Sequence, residues 1–183
     1  MLEIGIIASI LVILIIISIL IYNKLVKNRN MVLEAWSGID VFLKKRHDLV
    51  PNIVEIVKSY ALHEKNTLEA ITRYRSDAMK ANNTENQVVS ENRLAKELGN
   101  LWVVVENYPE LKANAHFLQL QLQLADIEHD LEASRRYYNG AVRIHNIYVE
   151  RFPSNVMAWV FRFKKGVFFA ASSAETEKTK FSL

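Results

Sequence analysis

Apolar positions are laid out in two ways along this chain. Residues 4–22 carry no charge, are mostly isoleucine and leucine, and leave no face of a helix polar. Beyond residue 23, apolar residues recur every three or four positions between charged ones, the period of amphipathic helices. Nineteen helical residues rising ~1.5 Å each span roughly 28 Å, close to the hydrocarbon thickness of a bilayer. The stretch predicts a membrane-spanning helix and not a cleaved leader. A leader starts basic, has a shorter apolar run and ends in small-x-small, whereas this one starts Met1-Leu2-Glu3 and exits through Tyr22-Asn23-Lys24.

The amphipathic part reads as a series of helices. Trp36, Ile39, Leu43, Arg46, Val50, Ile53, Val57, Tyr60, Glu64, Leu68, Ile71 and Arg75 keep one 3-4 phase straight through Pro51. A proline removes a backbone donor and clashes one turn back, so it kinks or ends a helix. The unbroken phase favours a kinked continuous helix over a hairpin at this point. Ala81-Asn82-Asn83 breaks the pattern, and Thr84 with Gln87 has the spacing of a capping box for a helix carrying Leu94, Leu98, Leu101 and Val105. Pro109 suits the first turn of the next helix. Its stripe runs Phe117, Leu120, Leu124, Ile127, Leu131, Ser134, Tyr138, Ala141, His145, Tyr148, Phe152, a heptad suited to bundle or coiled-coil packing. Phe152-Pro153 stops it. Ser154 is placed to cap a short aromatic helix through Phe163, with Gly166 as its end.

The expected fold is all-α: an N-terminal transmembrane helix followed by an antiparallel four-helix bundle with long, kinked helices. The divisions are an anchor at 1–23, a bundle at 24–170 and a disordered tail at 171–183, rich in Ser, Thr, Glu and Lys. Scarce glycine (5) and proline (3) argue against a turn-rich β architecture.

Charge sets an orientation and removes one class of partner. All 23 Lys and Arg residues lie at or after Lys24, and Glu3 is the only charge before the apolar run. The positive-inside rule places the N-terminus outside and the bundle in the cytoplasm. Without Glu3 the remainder carries an excess of four positive charges, too mild for nucleic acid. Lys24, Lys27 and Arg29 suit lipid headgroups instead. The absence of cysteine rules out disulfides and Cys-based zinc sites.

Several blocks together resemble the LemA family. They are Tyr22-Asn23-Lys24-Leu25-Val26, Glu34-Ala35-Trp36-Ser37-Gly38-Ile39-Asp40-Val41, Arg46-His47-Asp48-Leu49-Val50-Pro51-Asn52, Tyr60-Ala61-Leu62-His63-Glu64, Glu106-Asn107-Tyr108-Pro109-Glu110-Leu111-Lys112-Ala113-Asn114, and Arg135-Arg136-Tyr137-Tyr138-Asn139 running on to Phe152-Pro153-Ser154-Asn155. They stand in family order across residues 22–169. The resemblance implies a single-pass bacterial membrane protein with a helical-bundle soluble part and no implied enzyme activity. One family branch is associated with magnetosome membrane formation, which points to membrane organisation.

Candidate chemistry is thin. Asp126 and His129 have the Glu-x-x-His-like spacing of half a bundle di-metal site, but no second half exists at His47, His63, His116 or His145. His145, on the heptad stripe, reads as a hydrogen-bonded core histidine. Nucleophile elbows and phosphate-cradling glycine loops are missing. No cofactor and no catalytic residue is expected. The polar residues of the matching blocks, Asp40, Arg46, Asp48, Pro51, Asn52, Glu64, Glu106, Asn107, Lys112, Asn114, Arg135 and Asn139, read as a structural or partner-contact network near kinks and ends, where freed carbonyls need donors. Within it, Asp48, Arg46 and Asn52 are expected to support the Pro51 break. Trp159, Phe161, Phe163, Val167, Phe168 and Phe169, interleaved with Arg162, Lys164 and Lys165, read as a cap on the bundle core, with a headgroup-level anchor as the other reading. The function expected is a non-enzymatic scaffold or adaptor at the inner face of a bacterial cell membrane. Its partners would be the lipid bilayer through residues 4–22 and either further copies of the chain or another membrane-associated protein. A metal-binding or redox bundle enzyme and a transmembrane signalling component are the alternatives.

Overall fold

The computed structural model describes residues 2–169; the tail expected at 171–183 lies outside them. The chain is all-α: a long, apolar N-terminal helix is followed by several packed helices, and among the described residues there is no strand. In order these are α1 (Leu2–Tyr60), α2 (Lys65–Met79), α3 (Thr84–Val105), α4 (Pro109–Lys112), α5 (Ala115–Glu150) and α6 (Ser154–Val160).

Pro51 lies inside α1, as the unbroken stripe favoured. The helix ends ten residues later, at 61–64, where the sequence pattern gives no sign of a stop. Tyr60, Glu64 and Leu68 keep the helical spacing across the gap, so α2 restarts in phase. Further corrections fall at caps. Asn83, not Thr84, caps α3, its side chain accepting from Asn86 N at 2.8 Å. Pro109 does open a helix, but a single turn later Asn114 caps a new one, its Oδ1 accepting from Phe117 N at 3.0 Å. Ser154 is the first residue of α6 and not its cap, with Oγ donating to Arg151 O at 3.0 Å. This helix stops at Val160. Its end is a Schellman arrangement, with Phe163 N bonded to Ala158 O and Arg162 N to Trp159 O, and Arg162 occupies the left-handed position usually given to glycine (φ 55°).

The described residues divide into two compact units. One comprises residues 39–135 with 169. Its core joins Leu49, Val50, Ile53 and Val57 of α1 to Leu68 and Ile71 of α2, Leu94, Leu98, Leu101 and Val105 of α3, Leu111 of α4, and Phe117 and Leu124 of α5. Four longer helical segments therefore share one apolar interior, with α2 and α3 packed as a hairpin across residues 80–83. Burying each such aliphatic side chain contributes about 1.5–3 kcal/mol.

The other unit comprises residues 2–38 and 136–168. Leu25, Asn28 and Ala35 of α1 are buried here, as are Tyr138, Ala141, Val142 and His145 of α5 and Ala158 of α6. Trp36 meets Tyr138 edge-on at 5.3 Å. An extended strap, 163–168, is bound by α5 side chains. Tyr138 Oη donates to Val167 O (2.8 Å), His145 Nε2 faces Lys164 O (2.9 Å), and the Asn146 amide both accepts from Gly166 N (2.8 Å) and donates to Gly166 O (3.0 Å). Gly166 has little room for a side chain, since a Cβ there would come within 3.3 Å of Val142 Cγ1.

Candidate functional site

Two features of the molecule depart from an ordinary helical interior. The first is ionic and lies in the unit of residues 39–135. Arg46 sits on the apolar stripe of α1 between Leu43 and Val50 and is completely buried; Glu91 occupies the matching position on α3, between Val88 and Leu94. Arg46 Nη2 donates to Glu91, and Nη1 donates to Glu128 Oε1 of α5 at 2.7 Å. His47 Nε2 lies 2.9 Å from Glu91 Oε1. Burial disfavours the charge on Arg46, but Glu128 and Glu91 outweigh it and hold its pKa above the ordinary value. Burial likewise works against the Glu91 carboxylate; His47 and Arg46 outweigh it and hold Glu91 below the usual carboxylate range. Arg46 and Glu91 are thus both charged at neutral pH, with the positive centre out of water.

Next to it lies the answer to the proline. Pro51 has no N–H for the carbonyl of His47, one turn back. Arg75 of α2 supplies the missing donor, its Nε bonding His47 O at 2.6 Å. The expected support from Asp48 and Asn52 is replaced by this contact: both side chains are exposed, and Arg46 turns to Glu91 and Glu128.

The remaining polar residues named from sequence fall into separate places. Near the end of α1, Asn114 Nδ2 donates to Tyr60 Oη (3.0 Å) and Tyr108 Oη donates to Glu64 Oε1 (3.2 Å), tying the 61–64 and 106–114 links together. Lys112 and Glu106 form an exposed ion pair at 2.5 Å, and Asn107 is exposed beside it. Asp40 is exposed and accepts from Gln87 at 3.5 Å. Arg135 lies over the Phe169 ring at 4.3 Å, and Asn139 is half-buried. Asp126 and His129 are both exposed on α5. Among the described residues, no group of three His, Cys, Asp or Glu side chains is placed to hold a metal ion.

Glu91 and Glu128 were not singled out in the sequence, yet Glu91 carried a signal: a glutamate in phase with Val88, Leu94, Leu98 and Leu101 on an apolar stripe. His145 is buried as its heptad position predicts. Its Nε2 faces a carbonyl, an acceptor only, which places the ring proton there.

The second feature is apolar and lies in the other unit. α1 is the one helix among the described residues long and apolar enough to cross a membrane, and that stretch is not buried inside the protein. Beyond α5, the aromatic segment is not the core cap expected of it. Phe169 is buried, but Trp159 is 82% exposed and Phe161, Val167 and Phe168 are about half exposed; Phe152, last of the heptad stripe, is exposed past the helix end. Phe161 instead packs on Tyr22 with ring centroids 4.7 Å apart.

These features define a class, a helical protein with one candidate N-terminal membrane span. The chain belongs to the LemA family, whose model matches residues 35–182. It is 28% identical over 157 residues to Protein LemA of Metamycoplasma hominis, covering 84% of this chain and 70% of that one. It is 21% identical over 179 residues to Magnetosome protein MamQ 2 of Paramagnetospirillum magneticum, covering 84% and 66%, and 20% identical over 174 residues to Magnetosome protein MamQ of Magnetospirillum gryphiswaldense, covering 81% and 64%. The chain thus spans about two thirds of the length of these magnetosome relatives. Arg46, Glu91 and Glu128 all lie within the family match; residues 4–22 precede it.

Proposed function

We propose that the chain is a non-enzymatic scaffold or adaptor, tethered by residues 4–22 to a bacterial cell membrane with its packed helices at the inner face. One observation carries the reading: a charge-free stretch of bilayer length whose isoleucines and leucines remain uncovered by the rest of the protein. Water would penalise such a surface and lipid removes the penalty. Lys24, Lys27 and Arg29, directly after it, support the inward orientation. Tethering confines the helices to a thin layer, which raises their effective concentration and favours self-association or docking of another membrane-associated protein. The buried ionic cluster supports a structural role for Arg46 and Glu91, since these fully buried charges face each other and not solvent. The names of the magnetosome relatives agree with a role at membranes.

The chain has no cysteine, so single cysteines report cleanly. With His63→Cys, a membrane-impermeant maleimide should label only after lysis of the cell, and label before lysis rejects the orientation. In-cell crosslinking of the anchored chain should yield copies of itself or a membrane-associated partner. Recovery of the protein in the aqueous fraction, or a stoichiometric transition metal in the detergent-purified protein, overturns the reading.

A further inference from the structure

The structure sets a second apolar element beside the span. Residues 152–161 contain no charge, but Arg151 precedes them and Arg162, Lys164 and Lys165 follow. Met157 and Phe161 share a cavity of about 340 Å³ with Leu14, Ile15, Ile19 and Tyr22 of α1. These α1 residues belong to the last three turns of the charge-free stretch, so α6 lies alongside the span and not beyond its end. On the other side of the same segment Phe152, Val156, Trp159 and Val160 are exposed, two of them by about four fifths. In water this is an unexplained apolar patch.

We propose that residues 152–161 are a second membrane-contacting element, whose exposed apolar side chains lie among the acyl chains of the leaflet that holds the end of the span. The proposal rests on the anchoring of residues 4–22, because that anchoring fixes the depth of Leu14 to Tyr22 and hence of whatever lies beside them. Three further observations fit lipid as the occupant. Backbone polar groups exposed to hydrocarbon must be satisfied internally, and here Asn155 N bonds Arg151 O, Val156 N bonds Pro153 O, Phe161 N bonds Met157 O and Phe163 N bonds Ala158 O. The charges are gathered at both ends of the segment, so one tip is apolar while Arg151, Arg162 and Lys164 stand where phosphate headgroups would be. Trp159, the most exposed aromatic residue among the described residues, is of the type enriched at the membrane interface.

The test uses the full chain in vesicles of phosphatidylethanolamine and phosphatidylglycerol doped with phosphatidylcholine brominated on its acyl chains. Bimane is attached to a single cysteine at one of three positions: Trp159→Cys, Ile13→Cys in the span, or His63→Cys at an exposed position of the 61–64 link. Brominated lipid should quench positions 159 and 13 several-fold and leave 63 unchanged. If 13 is quenched while 159 behaves like 63, the second element is rejected and the anchor stands. If 13 and 159 both behave like 63, the anchoring fails and takes this inference with it. A position 159 shielded from lipid that crosslinks to its counterpart in another copy also overturns the proposal, since a second protein molecule then covers the patch. Should the cysteine at 159 disturb the fold, Val160→Cys gives the same reading from the neighbouring exposed position.

Discussion

Residues 4–22 and residues 39–57 belong to the same helix, yet the first stretch leaves its isoleucines and leucines uncovered while the second buries an arginine completely. In a water-soluble helix both would be faults. Uncovered aliphatic surface and an isolated buried guanidinium each cost several kcal/mol or more. The difference teaches that exposure has no meaning until the solvent is named. For residues 4–22 the compensating medium, on the proposed anchoring, is hydrocarbon; for Arg46 it is a private one, built from Glu91 and Glu128.

The contrast can be broken from either side. Ile13→Lys combined with Ile17→Lys places charges mid-span at about 2.5–3.5 kcal/mol each. The chain should move from the membrane to the aqueous fraction on sedimentation, while the thermal midpoint of the packed helices stays put; a fall in that midpoint would show that the two stretches are not energetically separate. Glu91→Ala does the opposite. It should keep the chain in the membrane but lower stability by about 3–5 kcal/mol in denaturant titration, because Arg46 is left buried with only Glu128. Arg46→Met added to Glu91→Leu should recover most of that loss, and a pair as unstable as the single variant argues against this account of the cluster. The same carboxylate gives an acid signature. Its folded pKa is depressed, so its contribution is complete above the usual glutamate value of 4.5 and is lost as pH falls through the lower folded one. Stability should drop below about pH 4.5, and less steeply in Glu91→Gln. Arg75→Ala removes the donor to the His47 carbonyl and should cost about 1–3 kcal/mol. The smallest effect is expected for Asp48→Ala, within about 0.5 kcal/mol, since the side chain is exposed. A clear loss of melting temperature there would restore the polar network read from sequence around Pro51.

That network shows where sequence reading stops. Continuity of α1 through Pro51 was legible because a helix that continues keeps its phase. The stop at 61–64 was not, because a helix that restarts after four residues can keep it too. The need for a donor near the proline was also legible, but Asp48 and Asn52 were chosen for being near in sequence. The donor comes from Arg75, which α2 brings back to the carbonyl from 28 residues away. The span, the α5 stripe as far as Tyr148 and the burial of His145 depend on local period and were visible. The Arg46–Glu91–Glu128 meeting depends on three helices, and only the odd charges on two apolar stripes, Arg46 and Glu91, hinted at it. The aromatic segment misled for a related reason. Composition alone does not say whether a ring faces protein or lipid.

The strap at 163–168 is gripped by its main chain. Tyr138, His145 and Asn146 hold carbonyl and amide groups of Lys164, Gly166 and Val167, groups that almost every amino acid would offer equally. Selectivity for this segment therefore resides in the helix that grips it. Apart from Gly166, where Val142 leaves little space, its letters are interchangeable as far as these bonds are concerned, and the three gripping residues are not. Divergence between relatives should accumulate on one partner of this contact and spare the other.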